Sequence, residues 1–328
     1  MEYTLEKTIW TEKYRPSSLD AIYGQHHIIP ILKKFVEKGD IPHLLFSGQQ
    51  GVGKTATAIA IAKELFGNKW RLNWLEINAS DERSIQTIRE TVKNNARIAP
   101  ATGTKFRIVF LDEADFLTAE AQAALRRIIE RYSTSCRFIL SCNNPAKIID
   151  PIKDRCVEFR FSRLKDEDII KLVTDIASKE GVHLTEDGAT TIAKYSDGSA
   201  RRAILILQTL SMYSDNSIDK SLVESYIPQI DRAGIRQLYD LCKSGDLKNA
   251  RKQLLDLLYY KLLYPSEIIE NLMNIIYDDS ELSTSAKLYL LSKAGEIDRN
   301  INITNSPYLQ LFSFISQIIV VWKKVKKK

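Results

Sequence analysis

The sequence contains no apolar run of the ~20 residues that a membrane-spanning helix requires. Its most apolar stretch, Leu309 to Trp322, is interrupted by Gln310, Ser313, Ser316 and Gln317 and reads as a buried helix. The first ten residues, MEYTLEKTIW, carry acids and lack an apolar core, so no secretory leader is expected. Cysteine is scarce: Cys136, Cys142, Cys156 and Cys242 form no CxxC pair, which leaves neither zinc nor disulfide spacing and fits a reducing, cytoplasmic compartment. Internal repeats are absent, and so is low complexity outside a lysine tail. That tail, Lys323, Lys324, Lys326, Lys327 and Lys328, supplies five charges of the net +6, so the rest of the chain is nearly neutral. Whole-chain charge therefore argues neither for nor against nucleic acid, and the tail by itself reads as a frayed, solvated helix end. What remains, 44% hydrophobic and 27% charged residues over 328 positions, is an ordinary globular composition long enough for two or three domains.

From Leu44 to Arg163 apolar runs alternate with helical patterns: LLFSG, a helix from Lys54, WLEINAS, a helix from Ser84, RIVFLDEAD, a helix from Ala119, then RFILSCNN. Strands alternating with helices imply right-handed crossovers onto a parallel sheet, an α/β class. After Arg163 the apolar positions, such as Ile169, Ile170, Leu172, Val173 and Ile176, repeat at helical spacing and no strand-like run returns. Breaks near Gly181 to Thr185, Gly198 and Asn216 mark a small helical bundle, and a second helical block begins at Asp231. Three domains are expected, over 1–163, 164–230 and 231–328.

Gly48-Gln49-Gln50-Gly51-Val52-Gly53-Lys54-Thr55 satisfies G-x-x-x-x-G-K-[ST], follows the strand-like HLLFS and precedes the helix ATAIAIAKELF. Glycines there let backbone N–H groups curl around phosphate oxygens at a helix N-terminus, where the helix dipole adds to the attraction. The expected nucleotide-binding set is Gly48, Gly51, Val52, Gly53, Lys54, Thr55 and Ala56, with Lys54 reaching the β and γ phosphates of ATP and Thr55 taking Mg²⁺. The run Arg107 to Asp115 is an apolar strand ending in carboxylates, and ligands gather at the carboxyl ends of parallel strands. Asp112 suits a metal-water ligand, and Glu113 is the group to orient or polarise an attacking water.

These motifs, with Trp10-Thr11-Glu12-Lys13-Tyr14-Arg15-Pro16, Gly24-Gln25, Pro42-His43-Leu44-Leu45-Phe46, Asn78-Ala79-Ser80-Asp81-Glu82-Arg83 and Ala124-Leu125-Arg126-Arg127, resemble the replication factor C small subunit, in family order from Trp10 to about Leu210. The helical remainder matches that family in length and character. The resemblance implies an α/β P-loop AAA+ domain, a parallel sheet with flanking helices, followed by a small helical lid and a C-terminal all-helical collar. It implies that Tyr14, Arg15 and Pro16 line an adenine pocket with Gly24 and Gln25. It also implies that Asn143 is sensor 1, that Arg201 is sensor 2 reaching back from the lid, and that Arg155 is an arginine finger acting in trans on a neighbouring subunit. Three positions depart from the family: Asp154 stands where Ser precedes the finger, Ser199 replaces Asp in Gly-Asp-x-Arg-Arg, and Ser84 replaces Gly. A carboxylate at 154 is expected to pair with Arg155 or redirect it.

On the helix opened by Ser84, the residues Ile85, Ile88 and Val92 share one face and Arg89, Lys93 and Arg97 recur every four residues beside it. Spacing alone describes a solvated face. The resemblance makes Arg83, Arg89 and Lys93 a grip on primer-template DNA, independent of sequence. It further implies ATP and Mg²⁺ as cofactors. The implied partners are a replication factor C large subunit, other small subunits in a pentamer joined through the collar, and a sliding clamp. No clamp-binding peptide is visible in the tail. The function so implied is ATP-dependent clamp loading; the alternatives are another AAA+ DNA-associated ATPase, such as a helicase loader or branch-migration motor, and a non-hydrolysing scaffold that lends its finger.

Overall fold

The computed structural model describes residues 9–81, 84–101, 103–213, 217–226, 232–261, 263–301, 304 and 306–326. Arg83, Lys327 and Lys328, the expected break at Asn216 and the start of the last block at Asp231 lie outside the described residues. The chain forms two compact units, Met1–Val223 and Glu224–Lys328.

The first unit is built on five parallel strands, β1 (Leu44–Ser47), β2 (Trp74–Asn78), β3 (Arg107–Asp112), β4 (Cys136–Cys142) and β5 (Val157–Arg160), in the order β2-β3-β4-β1-β5. Every residue of β1 is buried, as is nearly all of β4, which is why both read as continuous apolar runs: helices cover both faces of an inner parallel strand. Four strands were legible as apolar runs; β5 was not. Its sequence, VEFR, buries only Phe159 at the sheet edge, too little apolar pattern to announce a strand. The register pairs Ser47 with Cys142 and Leu111 with Leu140, so the carboxyl ends of β1, β4 and β3 finish side by side.

Each loop that leaves those ends feeds a helix. The helix Lys54–Phe66 follows β1 and buries Ala58, Ile59, Ala60, Ile61 and Ala62 against the sheet. After β2 the chain runs through a helical turn at Ile85–Thr87, a π-helical stretch at Ile88–Val92 and an α-helix at Lys93–Arg97. Ile88, Val92 and Ala96 are buried on its inner face. The helix Ala119–Arg131 follows β3, capped by Thr118, whose hydroxyl accepts the Ala121 N–H.

Three helices, Asp166–Glu180, Glu186–Ser196 and Ala200–Tyr213, make the lid within the same unit. The first ends at Gly181 in the left-handed region, as the breaks in the sequence require. A turn at Asp197 and Gly198 joins the second to the third. There Gly198 has φ +74, and a Cβ would stand 2.5 Å from Cβ of Arg163, so only glycine fits.

The second unit holds the helices Arg232–Ser244, Leu247–Leu255, Pro265–Asp278, Thr284–Ile301 and Pro307–Val325, with a π-helical stretch at Asp256–Tyr260. Its own core gathers Leu238, Tyr239, Leu254, Leu272, Phe314 and Trp322. The buried hydroxyl of Tyr239 donates to Asp279 Oδ2 at 3.0 Å, which satisfies a polar group that burial would otherwise leave stranded. The stretch Leu309 to Trp322 is helical as read from sequence, burying Leu311, Phe314, Ile315, Ile318 and Trp322 while leaving Leu309 and Val320 exposed, and no helix among the described residues is long and apolar enough to cross a membrane.

Candidate functional site: a phosphate-binding cleft

The three adjacent strand ends open into a cleft of about 1060 Å³, its mouth included. The loop after β1 contributes Gly51, Val52, Gly53, Lys54, Thr55 and Ala56 to its lining. Asp112 and Glu113 enter from β3, Asn143 from β4, and Ala200, Arg201 and Ile204 from the lid. Tyr14, Arg15 and Pro16 form another wall, with Ile22 and Tyr23.

Lys54 is 7% exposed, and its ammonium has an acceptor for each of its three donors: the Gly48 carbonyl at 2.6 Å, the Gln49 carbonyl at 2.7 Å and Asn143 Oδ1 at 3.0 Å. Burial lowers its pKa; the carboxylates of Asp112 and Asp115 and the Cys142 side chain oppose that shift, while the charge of Arg201 adds to it. Arg201 lines the same cleft as Lys54. Two cations held together beside a glycine loop make a site that anionic phosphate would relieve.

Gly51 has φ +77, and a Cβ there would collide with Ser199 Oγ of the lid. The lid turn therefore rests directly on the phosphate loop, and Ser199, one of the departures from the family pattern, is the residue that makes the approach. Arg163 continues this contact, donating through Nε to Gln49 Oε1 at 2.7 Å while pairing with Asp197.

Thr55 Oγ1 donates to Asp112 Oδ2 at 2.7 Å. A hydroxyl and a carboxylate in contact are hard oxygen donors of the kind Mg²⁺ takes, so these two residues fit the ion that a P-loop implies. Glu113 sits in the left-handed region at φ +53, a conformation that costs a non-glycine residue roughly 1 kcal/mol. The Asp112 carboxylate accepts the Glu113 N–H at 2.9 Å, and Gln50 Nε2 lies 3.5 Å from Glu113 Oε1. From this turn Glu113 lines the cleft.

Sequence reasoning passed over Asp115. Only 8% exposed, its carboxylate accepts the backbone N–H groups of Asn143 at 3.3 Å and Asn144 at 3.1 Å and so fixes the end of β4. The signal was the third acid in Leu111-Asp112-Glu113-Ala114-Asp115. Gly24, Gln25 and Gly48 do not line the cleft. Gln25, 4% exposed, donates to the Ser162 carbonyl at 2.7 Å and the Val52 carbonyl at 3.3 Å, and accepts the Ser162 N–H at 3.2 Å, bracing the phosphate loop from behind. Gly24 packs against Leu164 and Asp168, and Gly48 against Phe161.

Arg155 lies outside the cleft lining. Its ion pair is with Glu130 at 2.5 Å, and it donates to the Pro151 carbonyl at 2.6 Å. The expected partner Asp154 is thus replaced by Glu130, which projects from the helix Ala119–Arg131 and also faces Arg126 at 3.3 Å. Arg89 and Lys93 line a separate groove with Arg127, Arg131, Glu120 and Tyr132, where the helices after β2 and β3 meet. Arg97 is exposed and does not line that groove, so the stripe read from sequence divides after Lys93.

A family model of the ATPase family associated with various cellular activities matches residues 44–164. An RCF1/5-like AAA+ ATPase lid domain matches 171–212, and the replication factor C C-terminal domain matches 230–317, so the likeness continues well past Leu210. Proteins named replication factor C small subunit are similar along nearly the whole chain. That of Methanococcus vannielii is 41% identical over 94% of this chain and 98% of its own length. That of Archaeoglobus fulgidus is 42% identical over 96% and 98%. Among solved structures, the Thermotoga maritima RuvB Holliday junction branch migration motor matches with a TM-score of 0.57 at 18% identity, covering 77% of this chain and 82% of the motor, a likeness of fold alone.

Proposed function

The chain belongs to the replication factor C small-subunit family, with an AAA P-loop domain, a lid domain and a C-terminal replication factor C domain, and from that premise we propose that it is an ATP-hydrolysing subunit of a clamp loader. The observation that carries the reading is the meeting of Lys54, Thr55, Asp112, Glu113, Asn143 and Arg201 in one cleft. The chain's role is to bind, orient and release, because phosphoryl transfer asks a protein mainly for position and charge.

In this reading the backbone of Gly51 and Gly53 and the ammonium of Lys54 receive the ATP phosphates, and Lys54 exchanges its carbonyl acceptors for phosphate oxygens. Thr55 and Asp112 hold Mg²⁺, which neutralises phosphate charge when bound. Glu113 orients the attacking water and Asn143, fixed by Asp115, senses the terminal phosphate. Arg201 brings the lid onto the nucleotide, and Tyr14, Arg15 and Pro16 hold the base. Gly48, Gly24 and Gln25 support the loop from behind it. Arg155 serves the cleft of a neighbouring subunit. The Glu130 ion pair is half-exposed, a class worth about 0–1 kcal/mol, so a neighbour's phosphate displaces it at little cost.

The domains divide at 163/164 and 230/231, and the last domain joins this subunit to a large subunit and further small subunits in a pentamer that acts on cytoplasmic DNA. The groove of Arg89 and Lys93, with Arg127 and Arg131, follows the phosphate backbone of primer-template DNA without reading bases. ATP binding orders the assembly around a sliding clamp, and hydrolysis, triggered by DNA, lets the closed clamp go.

The test is hydrolysis by the assembled complex. Clamp and primed DNA together are expected to stimulate it. In the Arg89→Ala, Lys93→Ala double variant, DNA stimulation should need more DNA and should depend less steeply on salt, the log–log slope falling by about one unit for each phosphate that is no longer neutralised. Hydrolysis indifferent to clamp and DNA would remove the loader reading; an unchanged salt slope would remove the groove from the DNA path.

A further inference from the structure

The segment that forms one wall of the cleft is fastened to the lid. The short helix Trp10–Lys13 and the residues after it supply donors, and lid helices supply acceptors. Tyr14 Oη donates to Glu180 Oε1 at 2.6 Å and Lys13 Nζ donates to the same oxygen at 2.6 Å. Trp10 N–H donates to Gln208 Oε1 at 3.0 Å, and Tyr23 Oη donates to Asp175. Glu180 and Asp175 lie on the helix Asp166–Glu180, and Gln208 on the helix Ala200–Tyr213 that carries Arg201. Trp10 and Tyr14 meet edge to face, their ring centroids 6.3 Å apart, a contact that packs the two ends of this strap together.

We propose that Glu180 is a positioning residue for the nucleotide: by holding Tyr14 and Lys13 it makes the strap and the lid one jaw, so that the wall carrying Tyr14, Arg15 and Pro16 travels with Arg201. The phosphates are gripped by a loop that belongs to the sheet, the base end by a jaw that belongs to the lid. Glu180 touches neither substrate nor reacting atoms; it acts through Tyr14. A side chain acting only at the base end does not distinguish a diphosphate from a triphosphate, whereas Arg201, at the phosphate end, does. Loss of Glu180 should therefore weaken ADP and ATP by the same factor, a signature that loss of Arg201 does not produce. The inference rests on the cleft being the nucleotide site.

The experiment is a titration of the full chain with fluorescent mant-ATP and mant-ADP. Glu180→Ala is expected to raise both dissociation constants about 10-fold, the worth of one charge-assisted hydrogen bond. Glu180→Gln, whose amide oxygen still accepts from Tyr14, should lose less. Tyr14→Phe keeps the ring and removes only the hydroxyl, so it tests the same bond even if Glu180→Ala folds poorly, and its effect should vanish in the Glu180→Ala background. Tight wild-type binding that is lost in Lys54→Ala, with Glu180→Ala and Tyr14→Phe both unchanged, would overturn the jaw and leave the nucleotide site standing. A loss confined to ATP would also overturn it. Failure of the wild-type chain to bind either nucleotide would overturn both readings together.

Discussion

Arg155→Ala is expected to lower ATP turnover by the assembled complex about 10³-fold or more, a loss of roughly 4 kcal/mol in transition-state stabilisation. An arginine finger acts by placing a delocalised cation against the charge that develops on the transferred phosphoryl group. In the chain alone the Arg155 guanidinium is instead paired with Glu130 and hydrogen-bonded to the Pro151 carbonyl. Releasing that pair costs about 0–1 kcal/mol, small beside what a finger supplies, so under the proposed reading docking of a neighbour would decide where the guanidinium sits. Lysine is a poor replacement because it lacks the planar fork that spans two oxygens, and Arg155→Lys should recover little of the rate. The measurement is steady-state phosphate release by complexes reconstituted with wild-type or variant chain. A variant complex within a few-fold of wild type would take Arg155 out of the reaction.

Glu113→Gln is expected to reduce hydrolysis by about 10²- to 10⁴-fold while leaving the cleft able to close on ATP. The amide matches the carboxylate in shape and can keep the place that the left-handed turn at φ +53 gives it, with the backbone N–H still held by Asp112 at 2.9 Å. What it loses is the charge that orients and polarises water. Binding and hydrolysis should therefore separate: mant-ATP binds the variant and remains uncleaved in single-turnover assays. Lys54→Ala differs, since it removes the cation proposed to receive the phosphates and should fail at binding. Full hydrolysis by Glu113→Gln would assign the water to another group.

What could be read from the sequence is what lies close together along it. The phosphate loop from Gly48 to Thr55 and the acids of Leu111-Asp112-Glu113-Ala114-Asp115 each occupy one turn and its strand. Their pattern carries their chemistry, and the apolar runs of the inner strands revealed the parallel sheet. The edge strand β5 escaped because Val157-Glu158-Phe159-Arg160 alternates its two apolar residues with charges, whereas the other edge strand, β2, offers Trp74, Leu75 and Ile77. The charge stripe that looked continuous divides after Lys93, because Arg89 and Lys93 line the groove and Arg97 does not. The remaining differences are tertiary. Asp154 adjoins Arg155 in sequence, yet Glu130, on another helix, reaches it in space. Gln25 belongs to a motif associated with the base pocket, yet its side chain is drawn to the Ser162 and Val52 backbone behind the loop. The bond from Tyr14 to Glu180 spans 166 positions, and no local pattern encodes it.

The most direct test of the central claim is clamp transfer. A complex of this chain with the large subunit proposed for it would be given labelled clamp, circular primed DNA and ATP, and clamp retained on the DNA would be counted before and after the circle is cut. Retention is expected to require ATP, to fall sharply with Lys54→Ala in the small subunit, and to be lost when linearisation lets a topologically linked ring slide off. A complex that hydrolyses ATP in the presence of clamp and primed DNA but leaves no clamp on the circle would contradict the claim.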